Sequence, residues 1–405
     1  MGVEQDSSSP SRDSSFVIHP SAFILHPSAF ILPPSSFILH VDTGREWRGG
    51  QAQALNLCRG LKARGVSLVL AAQPGSPLLE RAAKAGIETF PVAMRGDLDV
   101  FAAHRLRRII QRQGVTLVHA HDAHAHALAR MAVGRRRVAL VVSRRVDFAI
   151  SSGFLSQRKY LDPRIHYFAI SNGVRDVLVM GGVPPERIHV VPSGVDPNRF
   201  TRQTPPSNLR AEFGIPESAP IIGTIGSLVD HKGHRYLIEA APMVLERHPN
   251  ARFFIVGEGE LRADLEARIA RMNLGSAFFL PGFREDLEAF LCGFDIFVLP
   301  SHLEGLCTSL IDAMLFRLPA VGCNTGGVPD LIQHEKTGLL VEPKNPRSLA
   351  EALLRLLWDR PLAARLGEAA RSHALACFTA DAMVEKTLAG YVSLLGDPGA
   401  RNGAL

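Results

Sequence analysis

The 405-residue chain is sparing with cysteine: Cys58, Cys292, Cys307, Cys323 and Cys377 are scattered, odd in number and without a CxxC pair. That pattern argues against a disulfide framework and against a cysteine zinc site, and it suits a reduced compartment. Long hydrophobic runs are missing too. A membrane-spanning helix needs roughly 20 apolar residues in succession, and the longest apolar run near the start is far shorter. Residues 1–15 hold one arginine against three acidic residues, so the positive start of a secretory signal is absent. No nucleic-acid module is visible, and the basic residues are not interleaved with aromatics. Nucleic acid is therefore not an expected partner.

What is present first is a repeat. Phe16, Phe23, Phe30 and Phe37 recur every seven residues through "FVIHPSAFILHPSAFILPPSSFILH". A seven-residue apolar period normally marks a coiled coil, but Pro20, Pro27, Pro33 and Pro34 break each turn of such a helix. Residues 1–35 read as a disordered low-complexity tail. The last copy differs, because "SSFILHVDTG" is a buried strand followed by a loop. The folded protein is expected to start near Ser36.

With 46% apolar and 21% charged residues the chain is globular, and its length predicts two domains. The net charge of +6 is uneven: residues 1–200 hold 25 Lys+Arg against 15 Asp+Glu, residues 201–405 hold 20 against 24. A basic first half suggests an anionic partner, such as a phosphorylated ligand, an acidic glycan or an anionic membrane surface. From residue 36 unbroken apolar runs alternate with helical patterns, the signature of parallel sheets covered on both faces. The pattern stops in the polar, proline-rich "DPNRFTRQTPPSNLR" and restarts at "APIIGTIGSL". The reading is an α/β chain of two doubly wound Rossmann-like domains, 36–200 and 201–385, facing a central cleft. A long helical stretch from Pro346 to about Leu395 ends it, and residues 386–405 are a helix and tail that pack back on the first domain. Ligands in such sheets bind beyond the carboxyl ends of the strands.

Five stretches carry groups suited to chemistry. In "PSHLEGLCTSLIDAM" a strand runs into a Glu-Gly turn and then a helix. The amides of Gly305, Leu306, Cys307 and Thr308 suit a diphosphate. Glu304 and Asp312 lie just over two turns apart and suit one cleft; the plain alternative is a capping Glu304 and a solvated Asp312. In "GTIGSLVDHKGH", Lys232 before a helix suits phosphate as a point charge, or is a solvated loop lysine. Gly49 and Gly50 of "REWRGGQAQ" let a ligand approach backbone amides, or form a simple turn. The histidines of "VHAHDAHAHA" invite a metal, but no i,i+4 pair and no completing carboxylate or cysteine is present, so no metal site is expected. A strand-end histidine facing the cleft is favoured. Arg105, Arg107, Arg108 and Arg112 give one helix a basic face, either solvated or adhering to anionic lipid headgroups.

Taken together, "HVDTGREWRGG", "SNGVRDVL", "RIHVVPSGVD", "HKGHRYLIEA", "IVGEGE", "LPGFREDL", "DIFVLPSHLEGL", "GGVPDLI" and "TGLLVEP" resemble, in order and across residues 36–395, the GT-B glycosyltransferases, specifically the retaining family GT4. The resemblance implies transfer of a sugar from a nucleotide-diphosphate donor to an acceptor hydroxyl with retained configuration and no metal or other cofactor. It implies that Glu304 sits by the donor sugar as the first carboxylate of an E-x7-E signature. Asp312 takes the second position, usually Glu, on the donor ribose. Lys232 is the diphosphate lysine, His121 the cleft histidine, Gly49 and Gly50 the first-domain glycine loop, and Phe283 lies by the base. The arginine usually paired with the lysine is replaced by Ser227, and Arg144 or Arg145 of "SRRVDF" is the expected compensation. Only Glu304 is an evident nearby carboxylate, whereas hydrolytic glycosidases use two. The leaving phosphate would then take the acceptor proton.

The acceptor expected is a glycan or lipid-linked molecule of the cell envelope, and the protein is expected in the cytoplasm, peripheral to the inner face of the membrane. Two other readings fit the sequence. One is a nucleotide-sugar-binding protein without turnover, favoured by Ser227 and Asp312. The other is a nucleotide-sugar epimerase.

Overall fold

The computed structural model describes residues 32–151, 153–199 and 209–396. The expectations placed on the repeat tail and on the middle of the linker fall outside those residues.

Among the described residues, thirteen short strands form two sheets, all pairs parallel. The first holds β1 (Phe37–Val41), β2 (Ser67–Ala72), β3 (Glu88–Pro91), β4 (Leu117–Ala120), β5 (Ala139–Arg144), β6 (Ile165–Ala169) and β7 (Ile188–Val190), in the order β3-β2-β1-β4-β5-β6-β7. The second holds β8 (Ile221–Ile225), β9 (Arg252–Val256), β10 (Phe278–Gly282), β11 (Ile296–Leu299), β12 (Ala320–Cys323) and β13 (Leu339–Val341), ordered β10-β9-β8-β11-β12-β13. β4, β8, β9, β11 and β12 are almost wholly buried, which is why they read as continuous apolar runs rather than alternating ones.

The order reverses between β1 and β4 in one sheet and between β8 and β11 in the other. At such a switch point the connections leave in opposite directions and open a crevice beyond the strand ends. The segments that follow these four strands are Asp42–Gly50, His121–Asp122, Gly226–Lys232 and Pro300–Thr308. Topology alone therefore brings together most of the stretches that the sequence singles out.

Caps set the helix starts. Ser76 accepts from the Leu79 amide, as its position predicts, and Asp122 accepts from the amides of His124 and Ala125 at 2.9 and 2.8 Å. The terminal stretch, which reads as one run, is three helices: Pro346–Trp358, Arg360–Cys377 and Ala380–Leu395. Asp359, followed by Pro361, and Thr379 start new helices with side-chain caps.

The last of these helices crosses to the first sheet. Val195 and Thr379 pair as a bridge, with Ala380 N–H donating to the Val195 carbonyl at 2.8 Å. A Cβ on Gly60, in the helix Gly49–Ala63, would come within 2.4 Å of Val384. Tyr391 is wholly buried beside Phe168, ring centroids 5.8 Å apart, and its hydroxyl lies 2.5 Å from His119 Nδ1. One buried apolar cluster runs from the first sheet into one face of the second, and a separate cluster fills the second sheet's other face.

Candidate functional site

Lys232 ends a short 3-10 turn after β8, and Gly233 behind it holds a left-handed backbone, φ +66°. A Cβ at Gly233 would stand 2.1 Å from the Pro300 carbonyl, so only glycine lets this turn lie against the end of β11. That contact delivers the Lys232 ammonium 2.5 Å from Glu304 Oε2, to which Ser301 Oγ also donates at 3.2 Å. Burial works against the lysine's charge, yet Cys307, Glu304 and Asp147 together outweigh it and hold its pKa above the ordinary lysine value. The ammonium is therefore retained throughout the neutral range. Glu304 is not a helix cap, because the helix starts at Thr308 behind Cys307.

The first domain closes on this pair. A Cβ on Gly305 would meet the Arg145 carbonyl at 2.5 Å, and one on Gly173 the Gly326 carbonyl at 2.3 Å. A Cβ on Gly327 would stand 2.7 Å from Ser171 Cβ, and Asn172 donates to both carboxylate oxygens of Asp330 at 2.6 and 2.9 Å. A second carboxylate, Asp147, lies beside Glu304, which corrects the expectation that Glu304 stands alone. Burial pushes its carboxyl above the usual range, aided by the Glu304 charge and opposed by N–H bonds from its own backbone and from Glu304. Among the described residues its Oδ2 is buried without a hydrogen-bond partner.

Across the cleft, the space over the glycine loop is open. No atom lies within 4 Å of a Cβ built on Gly49, and only Arg145 Cδ, at 3.9 Å, approaches one on Gly50. The packing of the described residues does not demand these glycines.

His121 is buried and lies with its Nε2 2.9 Å from His40 Nδ1. His40 is next to His119 in the β1–β4 register, so three histidines converge where the sequence pattern offered no i,i+4 pair. One nitrogen of each lies within 4.8 Å of the others, close enough for the trio to hold a metal ion. The rings also hydrogen-bond to one another and to their surroundings, while His40 Nε2 is buried without a partner among the described residues. Both nitrogens of His119 are engaged, by the Tyr391 hydroxyl and by Ser143 Oγ at 2.8 Å, and the Arg145 guanidinium stands beside His121. Burial lowers the pKa of His40 to about 3 and holds His119 and His121 well below the usual histidine range. His121 thus offers the cleft a neutral ring.

Asp312 is buried and is not the solvated residue of the plain alternative; it pairs with Arg199 from the start of the linker. Among the described residues its Oδ1 has no hydrogen-bond partner. Phe283 stands 72% exposed beyond β10, with a ring face open for stacking. Ser227 is exposed, and its carbonyl is 3.1 Å from His234 Nε2. Cys307 and Leu306 are buried, and burial raises the Cys307 thiol even with Lys232 opposing. Arg144 does not reach the cleft, because its terminal nitrogens donate to the Tyr160 hydroxyl at 2.7 Å and the Phe148 carbonyl at 2.6 Å. His40, Asp147 and Arg199 are the site residues that sequence reasoning misses.

The family described as Glycosyltransferase Family 4 matches residues 47–199, and the one described as Glycosyl transferases group 1 matches residues 207–373. The chain belongs to the group 1 glycosyltransferases. It is 29% identical, over 64% of its length and 70% of the relative's, to the UDP-Gal:alpha-D-GlcNAc-diphosphoundecaprenol alpha-1,3-galactosyltransferase of Escherichia coli. Over 42% of its length it is 32% identical to the 2-deoxystreptamine glucosyltransferase of Streptomyces kanamyceticus, spanning 46% of that protein. Among solved structures, HepE of Anabaena, crystallised with UDP, superimposes with a TM-score of 0.78 over 88% of this chain and 100% of that one, at 19% identity. The GT-B architecture implied by the motifs is the architecture found. Among the described residues, no helix is long and apolar enough to cross a membrane.

Proposed function

We propose that this group 1 glycosyltransferase moves a sugar from a nucleoside-diphosphate donor to an acceptor hydroxyl with retention, in building a cell-envelope glycan or glycolipid. The observation that carries the reading is the buried Lys232–Glu304 pair at 2.5 Å, set at the switch point of the second sheet and covered by the first domain. A diphosphate leaving group gains negative charge as the bond to the anomeric carbon breaks. Lys232 and the amides from Gly305 to Thr308 would stabilise that charge. Glu304 would lie against the sugar, where a carboxylate favours developing positive charge. The acceptor oxygen would bond to carbon on the face the diphosphate leaves, and its proton would pass to the departing phosphate oxygen. Asp312 would hold ribose hydroxyls, Phe283 the base, and neutral His121 a sugar hydroxyl. Domain contact through Gly305 and Gly327 would keep water from the donor.

The test is release of nucleoside diphosphate from a panel of UDP-, GDP- and ADP-sugars, with and without candidate acceptors. Release that depends on acceptor is expected. Donor binding without release across the panel would favour the sugar-binding reading, to which Ser227 and the Asp312–Arg199 pair lend support. Sugar isomerised without acceptor would favour an epimerase.

The basic face reads as a membrane contact. Leu98 and Phe101 are each 80% exposed, and Phe101 starts a helical stripe that continues through exposed Arg105, Arg108 and Arg112. An apolar tip flanked by cations suits an anionic bilayer. The protein should float with phosphatidylglycerol-containing vesicles and not with phosphatidylcholine ones. Leu98→Ser/Phe101→Ser should abolish flotation while leaving donor binding intact; unchanged flotation would remove this face from the role.

A further inference from the structure

We infer that Arg145, a first-domain residue, supplies the second cation for the phosphoryl groups bound in the cleft, at the place that Ser227 leaves without one. This rests on the donor reading above.

The second domain alone is short of positive charge. Lys232 is its buried cation at the site, and that ammonium is already paired with Glu304. Ser227 is exposed and brings no charge. A nucleoside diphosphate carries more negative charge than one shared ammonium offsets, and amide dipoles make up only part of the difference.

Arg145 has the position and the lack of partners that the task requires. Its carbonyl packs on Gly305, the first residue of the amide run, and its Cδ lies nearest the open face of Gly50. The residue therefore touches both backbone segments that suit phosphate, one through its carbonyl and the other through its side chain. Its guanidinium is poorly satisfied. Among the described residues, Nε is buried without a hydrogen-bond partner, and Nη2 reaches only His121 Nδ1 at 3.5 Å, too long for a strong bond. Asp42 and Asp122 attract it from beyond ion-pair distance; burial pulls its pKa down to about 10 against that attraction. A desolvated guanidinium with so few acceptors is costly to keep unless an anion completes it. Its planar fork matches phosphate oxygens. Neighbouring Arg144, by contrast, has its acceptors supplied inside the first domain.

Placing this cation on the first domain has a consequence. The donor's diphosphate is fully neutralised only when both domains face it, so donor binding itself favours the closed arrangement. A phosphorylated acceptor offers the same chemistry, and the experiment separates the two sources.

Calorimetric titrations would compare UDP, GDP and ADP with their monophosphates on the unaltered protein, Arg145→Met, Arg145→Lys, Ser227→Arg and the double variant Arg145→Met/Ser227→Arg. For the nucleotide bound tightest, Arg145→Met should weaken the diphosphate by about tenfold or more and the monophosphate by no more than roughly threefold, as loss of a charge-assisted phosphate contact predicts. Ser227→Arg should restore most of that loss in the double variant, and Arg145→Lys should fall between. Equal losses for di- and monophosphate, or a diphosphate affinity unchanged in Arg145→Met, would overturn the assignment. Unchanged nucleotide binding with lost turnover would move Arg145 to a phosphorylated acceptor and overturn the donor assignment too. If the unaltered protein binds no nucleoside diphosphate, the donor reading itself fails; failure confined to Arg145→Met leaves that reading standing.

Discussion

Glu304→Gln is expected to lower turnover by roughly 10²- to 10³-fold, the usual loss when one preorganised electrostatic group is removed from a reacting centre. Nucleoside-diphosphate affinity should hold or rise. The reason lies in the pair: Glu304 Oε2 is 2.5 Å from Lys232 Nζ, so the carboxylate competes with phosphate for the ammonium. Removing its charge frees Lys232 for the donor's diphosphate while taking away the negative group beside the sugar. Glutamine keeps the shape and an acceptor for both Lys232 and Ser301, so the protein should still fold, at some cost in stability for the lost counter-charge. Glu304→Ala should be equally inactive and less stable, because a buried lysine then loses its partner. Measuring kcat and nucleotide Kd separately distinguishes this from simple damage, which would raise Kd and lower kcat together. Near-normal kcat in Glu304→Gln would take the residue out of the chemistry.

The strands were legible because parallel sheets bury both faces, and the alternation of apolar runs with helical patterns is the strand and helix alternation found. The second-domain site was legible for a related reason. Lys232 and Glu304 each follow a strand at a switch point, and local punctuation, Lys-Gly and Glu-Gly, marks both. The missed groups are those whose partners are remote in sequence. His40 sits inside an apolar run and reads as core; its meaning comes from His121, 81 positions away, through strand order. Arg199 lies in a polar linker where any arginine looks solvated, and its partner Asp312 is 113 positions on. Asp147 becomes a site residue only because the second domain places Glu304 beside it. The choice between Arg144 and Arg145 did have a local signal. Arg144 ends β5, and adjacent residues at a strand end point to opposite faces, so one of the two had to turn inward.

A chain ending at Phe378, without the helix Ala380–Leu395, is expected to be insoluble or to lose the cooperative unfolding of its first domain. That helix follows the second domain in sequence but completes the first in space. It buries Met383, Val384, Leu388, Tyr391 and Leu395. Each large apolar side chain fully withdrawn from water contributes about 1.5–3 kcal/mol, and a whole domain is commonly stable by only about 5–15 kcal/mol. Loss of five such residues, with exposure of the surfaces under Gly60 and Phe168, is therefore on the scale of the entire stability. Tyr391→Phe separates packing from hydrogen bonding. It keeps the ring against Phe168 and removes only the hydroxyl at His119 Nδ1, so a loss of about 1–3 kcal/mol in chemical denaturation is expected, with the protein still folded. A truncated chain that melts like the full one would mean that the helix lies on the first domain without holding it. If it fails to fold, the domains are joined by two chain crossings, the linker after Asp196 and the Phe378–Thr379 corner. Cleft motion must then bend at both, which confines it to a hinge rather than a free rotation.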